Sequence, residues 1–183
     1  MKKLLLITVL LISFTFTSCG LFDFEELNAS SYNGDDTANE IVDCIKRKDA
    51  TSFSSLFSKK LQQKADFLPE CQAFLDYING TVISNNSVHE GGLTEDKIRE
   101  NGKTTIYTAL KFSIYTTSGE YHIAFRFCSL DQKDHDNEGI LSIYVIKAEN
   151  YQIDAIYGGN GFWTPGINII DYVVTEPHQQ GPK

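Results

Sequence analysis

The sequence predicts an α+β domain in which N-terminal helices pack against a curved antiparallel sheet. Three β-like runs follow one another between residues 104 and 147, and three helix-like segments precede them. Helices that come first and strands that come second are typical of this fold class. A chain of 183 residues is long enough for one such domain with a proper core.

The strongest signal is a hairpin between the first two runs. Ser118-Gly119 is a two-residue turn signal, and a turn there fixes the register of both strands. The pairs that result are apolar on both strands: Ile114 with Ile123, Phe112 with Phe125, and Leu110 with Phe127. Pattern and turn therefore agree that this face of the sheet needs a cover, which the helices can supply.

The same register places Lys111 opposite Arg126 on the other face of the hairpin. Like charges directly across a sheet are destabilising. Either a carboxylate from a further strand or loop, such as one near Glu90, neutralises both cations, or an anionic ligand or partner binds there. Lys111 and Arg126 are therefore candidate contact residues.

The helical segments are marked by apolar faces and by end signals. Thr37 and Glu40 form a capping box, and a basic triplet at 46–48 closes the first helix. Pro69 suits the first turn of the third helix, and Gly80 ends it. The predicted buried faces are, in the first helix, Ala38, Ile41, Val42 and Ile45; in the second, Phe53, Leu56, Phe57 and Leu61; in the third, Cys71, Phe74, Leu75 and Ile78.

Four strands are predicted in all. An irregular strand over 81–89 contains a bulge or break at Asn85-Asn86, and residues 90–103 form a polar connection. The run over 140–147 is apolar on both faces, which indicates a central strand or one covered on both sides. Residues 157–170 are predicted to be a glycine-rich loop.

The N-terminus carries an export signal. Lys2 and Lys3 precede an apolar run at 4–12 that is too short to span a bilayer, and small residues lead to Cys19. The succession resembles a bacterial lipoprotein signal with its lipobox; an ordinary secretory signal is the alternative. The resemblance implies cleavage before Cys19, lipidation of its sulfur and acylation of its amine by a chain such as palmitate. The expected location is the extracytoplasmic face of the cell membrane or outer membrane.

The expected signal and location divide the chain into four parts. Residues 1–18 are the expected signal peptide, 19–36 a flexible tether, 37–170 a single domain and 171–183 a C-terminal tail. Acidic residues outnumber basic ones by 24 to 16, which argues against nucleic acid as a partner. The expected partners are the membrane, through lipidated Cys19, and an envelope protein or a small apolar ligand.

Several segments together resemble known proteins: IVDCIKRKDATSFSSLFSKK, FLDYINGTVIS, SGEYHIAFRF, EGILSIYVIK and YGGNGFWTPGI. With the lipobox, they resemble a family of small bacterial lipoproteins known only as a domain of unknown function. The order of elements resembles the nuclear-transport-factor-two-like, or cystatin-like, fold. The resemblance implies a cystatin-like roll and supplies no catalytic residues.

No cofactor or metal site is expected. Residues 134–139 match the start of a calcium loop, but its twelfth place is Val145 instead of Glu, so a solvated hairpin loop is predicted. Cys44, Cys71 and Cys128 lack metal-ligand spacing. They are predicted to be small buried hydrophobes, and a disulfide between Cys44 and Cys71 stays open.

These observations favour a binding or interaction module. Inward positions of the hairpin are apolar and provide no acid–base pair, so no catalytic residue is assigned. The alternative is an enzyme, isomerase- or hydrolase-like, that uses a pocket inside the cone. Trp163 and Phe162 lie in the glycine-rich loop. Trp163 either plugs the end of the sheet or contacts a partner.

Overall fold

The computed structural model describes residues 25, 28–29, 34–86, 94–151 and 164–173. Within residues 34–86, four α-helices precede the sheet: α1 (Gly34–Arg47), α2 (Ala50–Ser55), α3 (Lys59–Gln62) and α4 (Phe67–Tyr77). The strands are β1 (Val82–Asn86), β2 (Thr94–Glu100), β3 (Lys103–Thr116), β4 (Gly119–Asp131), β5 (Gly139–Lys147) and β6 (Gly166–Ile170). The predicted α+β class is confirmed, with an open and mostly antiparallel sheet.

The six strands lie in the order β1-β3-β4-β5-β6, and β2 also pairs with β3. The long strand β3 holds β1 against its C-terminal part and β2 against its N-terminal part. The pair β5–β6 is parallel, so the sheet is not wholly antiparallel as predicted. Strand β5 is central, between β4 and β6, which explains why both of its faces are apolar.

Strand β2 was predicted to be part of a polar connection, and this prediction is wrong. Its side chains from Glu95 to Glu100 are all exposed and, apart from Ile98, charged, so no apolar alternation marks it. The missed signal is the turn that follows, because Asn101 and Gly102 have φ of 52° and 75°. Two successive positive φ values are the signature of a type I′ hairpin turn, for which Asn-Gly is the favoured pair.

The β3–β4 register differs from the predicted one by two residues. The turn residues are Thr117 and Ser118, and Thr116 pairs with Gly119. Neither turn residue has a positive φ, whereas Gly119 has φ of +141°. The special backbone conformation thus belongs to the residue after the turn, as in hairpins that end in a bulge. The Thr116 hydroxyl secures the turn by accepting from Ser118 N and donating to Gly119 O.

A shift of two residues preserves which side chains share a face. Leu110, Phe112, Ile114, Ile123 and Phe125 are all buried in the core, as predicted. The opposed pairs become Ile114 with Tyr121, Phe112 with Ile123, and Leu110 with Phe125. Lys111 therefore lies opposite Ala124 and Arg126 opposite Ala109, so the predicted pairing of the two cations is wrong.

Helix α1 begins at Gly34, before the predicted capping box. Thr37 is buried within the helix, so it cannot serve as the N-cap. Asp35 and Asp36 instead occupy the first turn, where negative charge complements the helix dipole. The predicted apolar face of Ala38, Ile41, Val42 and Ile45 is buried, as expected.

The predicted second helix is two short helices, α2 and α3, because the backbone between them pairs with β5. Ser58 N donates to Ile140 O at 3.1 Å, and Ile140 N donates to Leu56 O at 2.9 Å. Gly139 permits this close approach, since a Cβ there would lie 2.8 Å from the Phe57 carbonyl carbon. Asp49 caps α2 by accepting from Ser52 N at 3.0 Å.

Helix α4 begins at Phe67, two residues before Pro69. Its C-terminal carbonyl groups are bonded by Lys48, the residue that follows α1. Lys48 follows α1 with φ of 54°, and its Nζ donates to the carbonyls of Leu75 and Ile78. The basic triplet that closes α1 thus contributes a tertiary contact through its last residue.

The core lies between the helices and the sheet and is filled by phenylalanine rings. The ring of Phe53 stacks on that of Phe74, and the ring of Phe57 meets that of Phe67 edge-on. The ring centroids are 4.9 Å apart in each pair. The fully buried phenylalanines are Phe53, Phe57, Phe67, Phe74, Phe112 and Phe125. Cys44, Cys71 and Cys128 are buried and unpaired, which confirms the prediction of small buried hydrophobes.

Strand β1 carries a register shift between Val82 and Ser84, in place of the bulge or break predicted at Asn85-Asn86. Residues 34–36, which were predicted to belong to the tether, lie in α1. Across the described part of the chain, no helix has the length and apolarity needed to cross a bilayer.

Candidate functional site

The predicted contact residues divide into two groups. Lys111 and Arg126 lie on β3 and β4. Cys19, Phe162 and Trp163 lie outside the described residues. We call the face of β3 and β4 that alternates with the core residues the outer face; it carries Ala109, Lys111, Ser113, His122, Ala124 and Arg126.

Arg126 is half-buried and stacks on an aromatic ring. Its Cζ lies 4.2 Å from the centroid of the ring of Tyr107, which has the same alternation on β3 as Lys111. Burial raises the pKa of the Tyr107 hydroxyl, so this phenol stays neutral at physiological pH. Arg126 lies opposite Ala109 on one side and Ser142 on the other. The guanidinium thus has small side chains on both neighbouring strands.

Lys111 makes the equivalent arrangement with a second tyrosine. Its Nζ donates to Tyr151 Oη and lies 4.4 Å from the centroid of the Tyr151 ring. Because Lys111 lies opposite Ala124 and Arg126 is two residues further along β4, the two cations are diagonal neighbours. Such neighbours are roughly 7–8 Å apart between Cα atoms.

A serine–histidine pair lies next to Lys111. Ser113 and His122 face each other across the strands, with 2.8 Å between Ser113 Oγ and His122 Nδ1. Glu120 Oε1 lies 3.9 Å from the same nitrogen. A hydrolase triad places acid and nucleophile on opposite ring nitrogens, so these three residues do not form one.

The outer face also holds the two ends of the segment that contains Trp163. Tyr151 precedes this segment, and its ring lies 4.8 Å from that of His122. Thr164 follows it; Thr164 N donates to Tyr144 Oη at 2.6 Å, and Thr164 O accepts from Ser142 Oγ. Tyr144 lies opposite Ala124. Tyr151 and Thr164, the described residues on either side of 152–163, therefore both contact residues of the outer face or of its continuation on β5.

Tyr151 was missed by the sequence analysis, because it follows a short 3-10 helix at Ala148–Asn150 that no periodicity marks. Tyr107 was not singled out as a contact residue either. Its position on β3, with the same parity as Lys111, is the signal that could have placed it on the outer face.

Among the residues that the structure describes, the interior offers no comparable set of polar groups. Tyr77 Oη donates to Ile170 O at 2.8 Å, and Tyr121 Oη accepts from Asn79 N at 3.1 Å, so both hydroxyls join structural elements. Burial raises the pKa of the Cys71 and Cys128 thiols to about 12. Buried neutral thiols are poor nucleophiles.

In the acidic loop between β4 and β5, the carboxylates of Asp131 and Asp134 already have partners within the protein. Asp131 accepts from Lys133 N at 3.0 Å, Asp134 N at 3.2 Å and Asn137 Nδ2 at 2.8 Å. Asp134 accepts from Asp136 N and forms an ion pair with Lys60. Among the described residues, no three His, Cys, Asp or Glu side chains are placed to hold a metal ion.

Comparison with known proteins shows which family this chain belongs to. A comparison with curated protein sequences gives no match. A family model described as "Domain of unknown function (DUF5104)" matches residues 40–148, which extend from α1 to the end of β5. Since the match covers more than half of the sequence, this chain belongs to the DUF5104 family.

Proposed function

We propose that this chain is a lipid-anchored, extracytoplasmic binding module that holds its ligand or partner on the outer face of the sheet. The observation that carries the proposal is the contrast between the two faces of the hairpin. One face is closed by phenylalanine rings, and the other presents cations, tyrosines and a serine–histidine pair.

The packing of the interior supports binding outside it. Phe112 is 2% exposed and Phe125 is 0% exposed, and their ring centroids are 6.4 Å apart. An enzyme pocket inside the cone needs space and converging titratable groups. The described interior is lined by packed aromatic and aliphatic side chains, so it favours the binding module over an isomerase- or hydrolase-like enzyme.

The element order supports a nuclear-transport-factor-two-like, or cystatin-like, roll as the fold of the domain. Helices come first and pack on one face of a sheet whose strands contain register shifts on β3–β4 and β4–β5. Such bulges bend strands and increase their twist. A bent sheet with helices on one face is what a roll requires.

The contacts of Thr164, the next residue in the sequence, support Trp163 and Phe162 as further contact residues. Trp163 directly precedes Thr164, which is bonded to Tyr144 on the outer face. Thr164 thus supports the proposal that the aromatic contacts and the cations Lys111 and Arg126 belong together. One binding surface can therefore include both predicted groups.

The anchor is tested by labelling with a clickable fatty acid. We expect the wild-type chain to incorporate the label and to fractionate with membranes, because each buried methylene contributes about 0.8 kcal/mol of membrane affinity. Cys19→Ala should lose the label, and Cys44→Ala serves as the matched control. Label retained by Cys19→Ala would contradict the lipid anchor.

The binding surface is tested by photo-crosslinking in intact cells. A photoreactive residue at Asp96 reports on the outer face, since Asp96 is exposed and lies opposite Tyr107. The same residue at Thr51, exposed on α2, is the control. We expect a discrete adduct from position 96 and none from position 51. Adducts from position 51 alone, or from neither position, would contradict the proposal.

A further inference from the structure

Arg126 is a half-buried cation in an acidic protein, yet the described residues supply no carboxylate for it. The chain has a formal net charge of −8. Lys60 pairs with Asp134, and Lys133 pairs with Glu100, both at 2.5 Å. No carboxylate within residues 34–86, 94–151 or 164–173 forms a salt bridge with Arg126. Since burying an unpaired charge is costly, this position requires an explanation.

The stacking on Tyr107 explains part of it. A guanidinium over an aromatic ring gains a cation–π contact, here with 4.2 Å between Cζ and the ring centroid. Stacking uses the planar face of the guanidinium and leaves its in-plane N–H donors for hydrogen bonds. Those donors form a fork that fits an oxyanion with two parallel hydrogen bonds.

The surroundings of Arg126 suit a ligand group. Its neighbours across β3 and β5 are Ala109 and Ser142, and Ala124 is two residues away on β4. Lys111, the diagonal neighbour, adds a second positive charge on the same face. An anion at Arg126 would supply the negative partner that the described residues do not provide.

We propose that Arg126, held on the ring of Tyr107, binds an oxyanion of the ligand, a carboxylate or a phosphate group, with Lys111 adding positive charge beside it. This inference rests on the proposed binding role of the outer face and names the chemistry of what it recognises. Arg126 supplies the bidentate contact, and Tyr107 positions it.

The test is an NMR titration of the full-length protein in detergent micelles. The Arg126 Nε–Hε signal is followed as acetate or inorganic phosphate is added at constant ionic strength, with chloride as the reference anion. We expect a saturable shift of this signal with one or both oxyanions and none with chloride. The anion that saturates at the lower concentration identifies the preferred group. The signal of Arg47, exposed at the end of α1, is the internal control.

Two variants separate charge from geometry. Arg126→Lys keeps the positive charge but loses the fork, and it should weaken oxyanion binding about 10- to 100-fold, the range of one charge-assisted hydrogen bond. Arg47→Lys should leave the binding unchanged. A thermal melt of each variant shows whether it is folded, and a folded Arg126→Lys that binds as tightly as wild type would overturn the proposal.

The outcomes also separate this proposal from the broader one. Shifts at Arg126 and Arg47 that are equal and do not saturate would show a general ionic effect and overturn the oxyanion site. If crosslinking from position 96 then persists in Arg126→Gln, the binding role of the outer face stands without that site.

Discussion

Phe112 lies opposite Ile123, and its ring nevertheless meets that of Phe125, on the diagonal position of the next strand, edge-to-face at 6.4 Å. The contact survives although the register differs by two residues from the one that pairs Phe112 with Phe125 directly. Both rings are buried under the helices. Both members of this pair therefore belong to the core between the helices and the sheet.

Truncation of either ring tests that position. Phe112→Ala and Phe125→Ala should each lower the free energy of unfolding by about 3–5 kcal/mol, because each leaves a cavity in a packed core. The double variant should show a coupling of about 0.5–1.5 kcal/mol, the value expected for an aromatic pair. Urea titrations measure all three.

Ile83→Ala is the control for these variants. Ile83 is 68% exposed, so its truncation should change the free energy of unfolding by about 0.5 kcal/mol or less. If Ile83→Ala costs as much as Phe112→Ala, the assignment of the two faces is wrong.

The sequence was sufficient to place side chains on faces but not to locate the turn. Alternation has a period of two, so a register error of two residues leaves Leu110, Phe112 and Ile114 on the same side. The turn position depends on the backbone conformation of Gly119, which could serve either within the turn or just after it. Composition alone does not distinguish these uses of glycine.

Strands β2 and β6 were missed for different physical reasons. Strand β2 is held by backbone pairing at a sheet edge and has no buried face, so its charged residues resemble a loop. Strand β6 has five residues inside a segment dominated by glycine, and its parallel pairing with β5 is a tertiary contact. The alternation of residues along β3 and β4 was sufficient to place Lys111 and Arg126 on one face of the sheet. The contact between Lys111 and Tyr151 could not be predicted in this way, because it depends on a reversal of the chain.

Substitutions at Gly102 and Gly80 distinguish the free-energy cost of backbone strain from that of steric conflict. Gly102 has φ of +75° with open space around it, so Gly102→Ala should cost about 1–2 kcal/mol from strain alone. Gly80 has φ of +84°, and a Cβ there would lie 2.6 Å from Thr117 Oγ1 and 2.8 Å from Ser118 N. Gly80→Ala should therefore cost clearly more in denaturant titrations. Equal losses would mean that the close approach of Gly80 to the β3–β4 turn does not add to the cost of the substitution.

Lys48 is predicted to stabilise the end of α4. Lys48→Met keeps the aliphatic stem and removes the ammonium that binds the carbonyls of Leu75 and Ile78, so it should cost about 1–3 kcal/mol. Lys46→Met, which removes an exposed pair with Asp43, should cost about 0.5 kcal/mol or less. Thermal unfolding of both variants decides the question, and equal melting temperatures would contradict the structural role of Lys48.

Asp131 predicts part of the acid sensitivity of the fold. Burial opposes its ionisation, but the hydrogen bonds from Asn137, Lys133 and Asp134 outweigh burial and hold its pKa below the usual value. A carboxyl with a lowered folded-state pKa contributes stability above its unfolded pKa of about 3.9 and loses it as the pH falls through the folded value. Asp131→Asn should cost about 1.5–3 kcal/mol at neutral pH.

The pH dependence provides the control for that variant. The difference in unfolding free energy between wild type and Asp131→Asn should shrink as the pH falls below about 4, since the wild-type carboxyl then becomes neutral too. Urea titrations at a series of pH values measure this difference. A difference that stays constant from neutral to acidic pH would show that the charge of Asp131 does not support the loop.

The filled interior is the observation on which the choice of binding face depends, and xenon tests it directly. Apolar cavities in proteins bind xenon, whereas a packed core does not. We predict that methyl signals of Leu110, Ile123 and Leu75 in the wild-type protein show no saturable shift under xenon pressure, and that Phe125→Ala, which opens a cavity, does show one. Saturable xenon binding at these methyl groups in the wild-type protein would contradict the account and restore an interior pocket as the place where a ligand binds.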